Sequence, residues 1–253
     1  MLNMLRHDGP EGSIPLVIAH GLFGSARNWN VIARRLSRDR TVIAVDMRNH
    51  GESPHFDSNA YQDMADDLAE VMAPLGEVDL LGHSMGGKAA MTLALTRPEH
   101  LRRLIVADIA PVTYPHSQTD KIEAMEAVDL ASVTRRSDAQ EQLARHGIEP
   151  ALQAFFTQSL DLADRRWRYN LPVLRRDMEK IIGFPQIEGR HQGRTLFLTG
   201  AESDYVQPGH RDTIKQLFPR AVFAKLPGAG HWLHADKPRE FEAAVTAFLS
   251  AGE

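Results

Sequence analysis

Gly82-His83-Ser84-Met85-Gly86 carries the plainest chemistry in the chain. G-x-S-x-G marks a sharp strand-to-helix turn from which a serine hydroxyl projects. The glycines answer a steric need, because a serine held in that turn leaves no room for side chains two positions away. The pattern alone arises by chance in about one chain in a dozen of this length, with Gly and Ser each at roughly 7%, so its flanks must decide. Val78–Leu81 before it reads as a short buried strand and Met85–Thr96 after it as a helix. The serine then sits over a helix N-terminus, where unsatisfied N–H groups and the positive dipole end favour developing negative charge. Ser84 is the candidate nucleophile.

A serine hydroxyl needs a base, and the chain has twelve histidines. His231, in Pro227-Gly228-Ala229-Gly230-His231-Trp232, follows the last strand pattern in a glycine-rich loop from which a ring can reach across the strand ends. His234 lies three residues on, but no third ligand, H-E-x-x-H pattern or carboxylate cluster accompanies the pair, so no metal site is expected. His20, His83 and His50 read as structural. His20-Gly21-Leu22-Phe23-Gly24 directly follows the first strong strand and has a task if an oxyanion must be bound. Two fixed backbone N–H donors there would contribute about 3 kcal/mol each to an acyl-transfer transition state. The expected donors are Met85 and Leu22, with Phe23 as the alternative to Leu22. The third member of a triad should be a carboxylate at a strand end. The residues leave two open, Asp108 in Val106-Ala107-Asp108-Ile109-Ala110-Pro111 and Asp204 in Gly200-Ala201-Glu202-Ser203-Asp204-Tyr205-Val206.

Such groups must be held at strand ends, and the patterning supplies the strands. Short runs rich in Val, Ile and Leu over Pro15–Ala19, Thr41–Val45, Val78–Leu81, Arg103–Ala107, Arg194–Thr199 and Ala221–Leu226 predict buried strands. Helical patterns over Trp29–Leu36, Tyr61–Ala73, Met85–Thr96, His210–Phe218 and Pro238–Leu249 lie between or after them. Asn59 suits an N-cap, and Pro238 suits a first helical turn. Strand alternating with helix predicts an α/β fold, a mostly parallel central sheet with helices on both faces. From about Tyr114 to Arg190 the alternation gives way to several helices, which predicts a helical cap over 114–190 inserted in a core of 1–113 and 191–253. Its arginines (Arg165, Arg166, Arg168, Arg175, Arg176) read as a solvated face balanced by Asp161, Asp164, Asp177 and Glu179. The alternative is recognition of an anionic substrate group.

The 253 residues suffice for one such folding unit, and 43% hydrophobic with 25% charged residues is a globular balance. A net charge of -4 with interspersed signs provides no field for nucleic acid or anionic lipid. The absence of cysteine excludes disulfides, thiolate metal sites and thiol nucleophiles. Met1–Ser13 lacks the apolar run of a signal peptide, and no stretch approaches the roughly 20 apolar residues of a membrane span. A cytoplasmic protein, a monomer or weak homo-oligomer, without nucleic-acid or membrane partners, is expected.

With strand, H-G-x-x-G loop, G-x-S-x-G elbow and late G-x-G-H in that order, the whole chain resembles the α/β-hydrolase superfamily. The runs Val45–Gly51, Gly82–Lys88, Asp108–Val112 and Gly228–Trp232 are similar to those of the bacterial YbfF-type esterases. The resemblance implies esterase activity on acyl esters, a helical cap over the pocket and no cofactor. It also bears on the acid. Most of the superfamily has G-x-x-D after the penultimate strand, but here Ser203 stands three residues after Gly200. YbfF-type proteins similarly lack that aspartate, and their acid is attributed to the position matching Asp108. The resemblance therefore favours Asp108, with Asp204 the alternative and Ser203 a hydrogen-bonding accessory.

The resulting expectation is a serine carboxylesterase that cleaves short- to medium-chain acyl esters through an acyl-enzyme. Its pocket would be lined by Leu22, Phe23, Met85, Trp232 and the aromatics Phe156 and Trp167. An acyl-CoA thioesterase, with the arginines meeting phosphates, uses the same serine chemistry. A carbon–carbon hydrolase or cofactor-free lyase is open on the same fold, and a non-catalytic ligand receptor would be expected to have lost a triad member.

Overall fold

Strand residues that alternate sides of a sheet need apolar layers on both sides when every position is buried. That is the situation of the central strands here. The computed structural model describes residues 1–252. Its strands are β1 (Met4–His7), β2 (Leu16–Ala19), β3 (Val42–Val45), β4 (Val78–His83), β5 (Leu101–Ala107), β6 (Leu160–Asp161), β7 (Arg166–Trp167), β8 (Arg194–Gly200) and β9 (Ala221–Leu226). Seven of them form one sheet in the order β1-β3-β2-β4-β5-β8-β9, with β1 antiparallel and the rest parallel. The helices are α1 (Asn30–Leu36), α2 (Tyr61–Met72), α3 (Met85–Thr96), α4 (Thr119–Glu126), α5 (Arg136–Arg145), α6 (Pro150–Thr157), α7 (Leu171–Arg176), α8 (Met178–Ile182), α9 (Arg211–Leu217), α10 (Leu233–Asp236) and α11 (Pro238–Ser250).

The period-2 alternation sorts each strand between two cores. Leu16 and Ile18 of β2 join α1 and α11 through Ile32, Leu36, Phe241 and Val245. Val17 and Ala19 face the other way, with Met64 and Leu68 of α2, Ala89 and Leu93 of α3, and Ile214 of α9. Full burial of such side chains contributes about 1.5–3 kcal/mol each. Strand order reverses between β2 and β4, and the carboxyl ends of these two strands carry His20-Gly21-Leu22 and Ser84. In open α/β sheets that crevice is where ligands bind.

Two expectations change. The sequence reading lacks β1, an edge strand whose residues alternate between exposed and half-buried and so present no apolar run. Asn59 does not cap α2, whose N-cap is Ala60. Its backbone N–H instead donates to Asp177 Oδ2 (2.8 Å) and its side-chain oxygen accepts from Asn49 (3.1 Å), a buried network that outcompetes the cap.

Between β5 and β8 lie α4–α8 and the hairpin β6–β7, two residues per strand. Ile122, Met125, Leu143, Phe156, Leu174 and Met178 of these helices share one continuous apolar cluster with α2 and α3. Of the five arginines of this stretch, Arg165, Arg166 and Arg176 are exposed and Arg168 and Arg175 are half-buried. Arg166 and Arg168 pair with Asp161, Arg168 also with Glu52, Arg175 with Glu123 and Glu126, and Arg176 with Asp177. Arg165 donates to the Ala131 carbonyl. No helix among the described residues is long and apolar enough to cross a membrane.

Candidate active site

Strand β4 delivers Ser84 into a backbone conformation that an L-residue rarely adopts, φ 51° and ψ -119°. A β-carbon added at Gly82 would lie 2.3 Å from the Gly86 carbonyl oxygen, and one at Gly86 would lie 2.4 Å from that of Ala19. Both glycines are therefore required by close backbone approach. Asp108 (φ 52°) and Phe23 (φ 60°) share the left-handed region. Each such residue stores strain of order 1–3 kcal/mol, which persists where surrounding structure fixes it, often at functional sites.

The three chemically informative side chains meet. His231 Nε2 lies 3.1 Å from Ser84 Oγ, and His231 Nδ1 lies 2.8 Å from Asp108 Oδ2. Asp108 is completely buried. Its Oδ1 accepts the Gly200 N–H at 3.0 Å, and Oδ2 accepts a short hydrogen bond from Ser203 Oγ. A carboxylate only accepts, so the imidazole proton belongs on Nδ1 and Nε2 presents its lone pair to the serine. Asp204 is exposed and makes no side-chain bond to His231, so of the two carboxylates only Asp108 occupies this position.

His83, in β4, donates from Nε2 to the His231 carbonyl oxygen at 2.9 Å and so holds the loop that carries the ring. His234 stacks on Trp29 (4.1 Å, 16°) instead of pairing with His231 as a ligand would. The oxyanion-type loop is pinned likewise. His20 Nδ1 donates to the Gly21 carbonyl oxygen (2.8 Å) and its Nε2 accepts the Met47 N–H (2.9 Å). His50 Nδ1 donates to the Arg48 carbonyl oxygen (2.9 Å) while its Nε2 accepts the Phe23 N–H (3.2 Å). Burial pushes the pKa values of His50 and His234 down to about 3 and lowers those of His20 and His83, so these four rings stay neutral. The Phe23 N–H is thus already engaged, whereas Leu22 and Met85 both line the cavity beside Ser84.

That cavity has a volume of about 240 Å³. Leu22, Phe23, Met85, Phe156 and Trp232 line it, together with Ile109, Leu152 and Phe155. Trp167 does not: its indole donates to the Met125 carbonyl oxygen at 2.9 Å and its ring stacks on Tyr169, inside the packing of the α4–α8 segment. None of the five arginines lines the cavity either. Sequence reasoning missed Tyr205, whose ring lies flat on His231 (3.9 Å, 16°), and the buried wall residue Lys88. Lys88 Nζ donates to the carbonyl oxygens of Val112 (2.9 Å), Ile182 (2.8 Å) and Gly183 (2.6 Å). Three acceptors require three N–H donors, hence the ammonium form, although burial pushes its pKa down to about 7. It lies one helical turn beyond Ser84 and ties α3 to both ends of the segment between β5 and β8.

A serine at an elbow, an imidazole with its lone pair on the serine hydroxyl and a buried carboxylate behind the imidazole can perform nucleophilic acyl transfer. The chain belongs to the α/β hydrolase fold family, whose model matches residues 14–238. Within it the chain is similar to proteins named esterase and lipase. It is 43% identical to the sn-1-specific diacylglycerol lipase ABHD11 of Mus musculus over 96% of this chain and 83% of that protein. It is 37% identical to the esterase YbfF of Escherichia coli over 93% of each. Among solved structures, a marine microorganism esterase superposes with a TM-score of 0.91 at 36% identity, covering 98% of this chain and all of that one.

Proposed function

We propose that the protein cleaves short- to medium-chain acyl esters in two steps, with Ser84 as nucleophile, His231 as general base and acid, and Asp108 as the triad acid. The observation that carries the reading is the continuous hydrogen-bond chain Ser84–His231–Asp108 at 3.1 and 2.8 Å. His231 Nε2 takes the Ser84 proton as Oγ attacks the substrate carbonyl. Backbone N–H groups of Leu22 and Met85 stabilise the oxyanion, since that of Phe23 is held by His50. The imidazolium returns its proton to the departing alcohol oxygen. Water, deprotonated in turn by His231, then releases the acid from the acyl-enzyme. Ser203 and Gly200 hold the Asp108 carboxyl group in place.

The segment 114–190 acts as a lid in this reading, because Phe155, Phe156 and Leu152 of α6 close one side of the cavity. A wall of Leu, Ile, Met and aromatic side chains suits an apolar acyl chain. A coenzyme A thioester finds less support, because the arginines that would meet its phosphates pair with carboxylates or a backbone carbonyl outside the cavity. The test is turnover of p-nitrophenyl esters of graded chain length, together with a diacylglycerol, by the parent and Ser84→Ala. Ser84→Ala should retain the parent's thermal midpoint, lose ester turnover and escape labelling by a fluorophosphonate. Undiminished turnover by Ser84→Ala would overturn the proposal.

A further inference from the structure

We infer that Tyr205 is a positioning residue of this reaction, its ring face locating the His231 imidazole and stabilising the imidazolium formed each time Nε2 holds a proton. The inference rests on the serine-hydrolase reading above. Three aromatic rings surround His231, but His83 (40°) and Trp232 (60°) meet it tilted. Only Tyr205 is near-parallel, with centroids 3.9 Å apart and planes 16° apart. The face of an aromatic ring is its negative side and attracts a cation above it. A neutral imidazole gains little from that field. The imidazolium, present only after the serine or water proton has moved, gains most, so the contact favours the transition states over the ground state.

The ring is braced for this. Its hydroxyl lies 3.1 Å from His116 Nε2. The Tyr205 carbonyl oxygen accepts from Tyr114 Oη at 2.8 Å, and Tyr114 Oη in turn accepts the Ala110 N–H at 2.9 Å. The Tyr205 N–H donates to Ser203 Oγ at 3.3 Å, the same hydroxyl that donates to Asp108. One short loop after β8 thus holds the edge of the imidazole, through Asp108, and its face, through Tyr205.

The experiment compares Tyr205→Phe, Tyr205→Trp and Tyr205→Leu with the parent and Ser84→Ala on one p-nitrophenyl ester. Tyr205→Leu keeps apolar bulk but removes the ring face, and its kcat should fall about tenfold, ~1.4 kcal/mol, with KM within about twofold. Phe and Trp retain the face and should keep kcat within about threefold. If Tyr205→Leu does not fold, Tyr205→Met carries the same comparison. Unchanged kcat in the leucine or methionine variant overturns the inference, as does a loss in Tyr205→Phe equal to theirs, which would assign the effect to the hydroxyl. Should Ser84→Ala retain turnover, the serine-hydrolase reading itself falls. A dead Ser84→Ala beside a fully active Tyr205→Leu removes only the role of the ring.

Discussion

Replacing Asp108 by asparagine removes one charge and keeps the side-chain shape, and the carboxylate's contacts dictate what the amide can do. Gly200 N–H meets Oδ1 at 3.0 Å, while Ser203 Oγ and His231 Nδ1 both meet Oδ2. An amide whose oxygen keeps the Gly200 N–H turns its NH2 toward His231 Nδ1. The ring must then carry its proton on Nε2, which has no lone pair left for Ser84. The flipped amide restores the useful tautomer but sets NH2 against the Gly200 N–H, leaving a buried donor unpaired at about 1–3 kcal/mol. Loss of the charge adds to this. A carboxylate about 4 Å from the imidazolium charge contributes about 4 kcal/mol at an effective dielectric near 20, roughly three decades of rate. Asp108→Asn should therefore lower kcat on a p-nitrophenyl ester by about 10³- to 10⁵-fold. KM should hardly move, because Asp108 is buried and does not line the cavity. Asp204→Asn, at an exposed side chain, should stay within about twofold of the parent. A rate for Asp108→Asn within tenfold of the parent, or a loss of about 100-fold in Asp204→Asn, would refute the assignment.

Acid should destabilise the fold more steeply than a surface histidine count suggests. His50 and His234 have folded pKa values of about 3 against 6.5 unfolded, so between those limits the unfolded chain binds more protons and stability falls as pH falls. These two rings alone give a slope of about 3 kcal/mol per pH unit between roughly pH 6 and 4. Urea midpoints across that range check it, and a flat profile would contradict it. Lys88→Met should loosen the ends of the segment between β5 and β8. Amide exchange over 112–114 and 182–184 should rise about 10- to 100-fold, equivalent to ~1–3 kcal/mol of lost hydrogen bonding, while that of β4 stays protected.

The parts of the site that follow strands were legible. Apolar run, glycine, serine, glycine and helix together place Ser84, and a glycine loop after the last strand places His231, because sheet geometry leaves those loops one end of the molecule to occupy. Which carboxylate sits behind the imidazole was not legible from residue types, since Asp108 and Asp204 each follow a strand. The distinction lies in which carboxylate the β8 loop turns inward, and Ser203 with Gly200 turns toward Asp108. Trp167 shows the limit of composition: an aromatic in a helical insertion reads as pocket lining, yet its indole N–H found the Met125 carbonyl and packed away from the cavity. Tyr205 carried no signal at all. Its stacking depends on how loops after β8 and β9 meet, and no local periodicity encodes such a meeting. The edge strand β1 escaped because half-exposed residues leave no apolar run to read.

The sheet also acts as a ruler for the site. The Ser84 N–H donates to the Ala107 carbonyl oxygen (3.0 Å) and the Asp108 N–H to that of Leu198 (2.9 Å), which continues the β4–β5 and β5–β8 ladders past the strand ends. The spacing between these two residues is thereby a property of the ladder, as resistant to loosening as the sheet itself. His231 has no such anchor. It is located by the His83 bond to its carbonyl oxygen, by the Gly230 N–H on Asp236 (2.8 Å), by the Asp108 contact at Nδ1 (2.8 Å) and by the stacked ring of Tyr205. In the proposed mechanism, the group held outside the ladder is the one that faces two partners in turn, first the serine and then a water, while the groups on either side of it are fixed by the sheet.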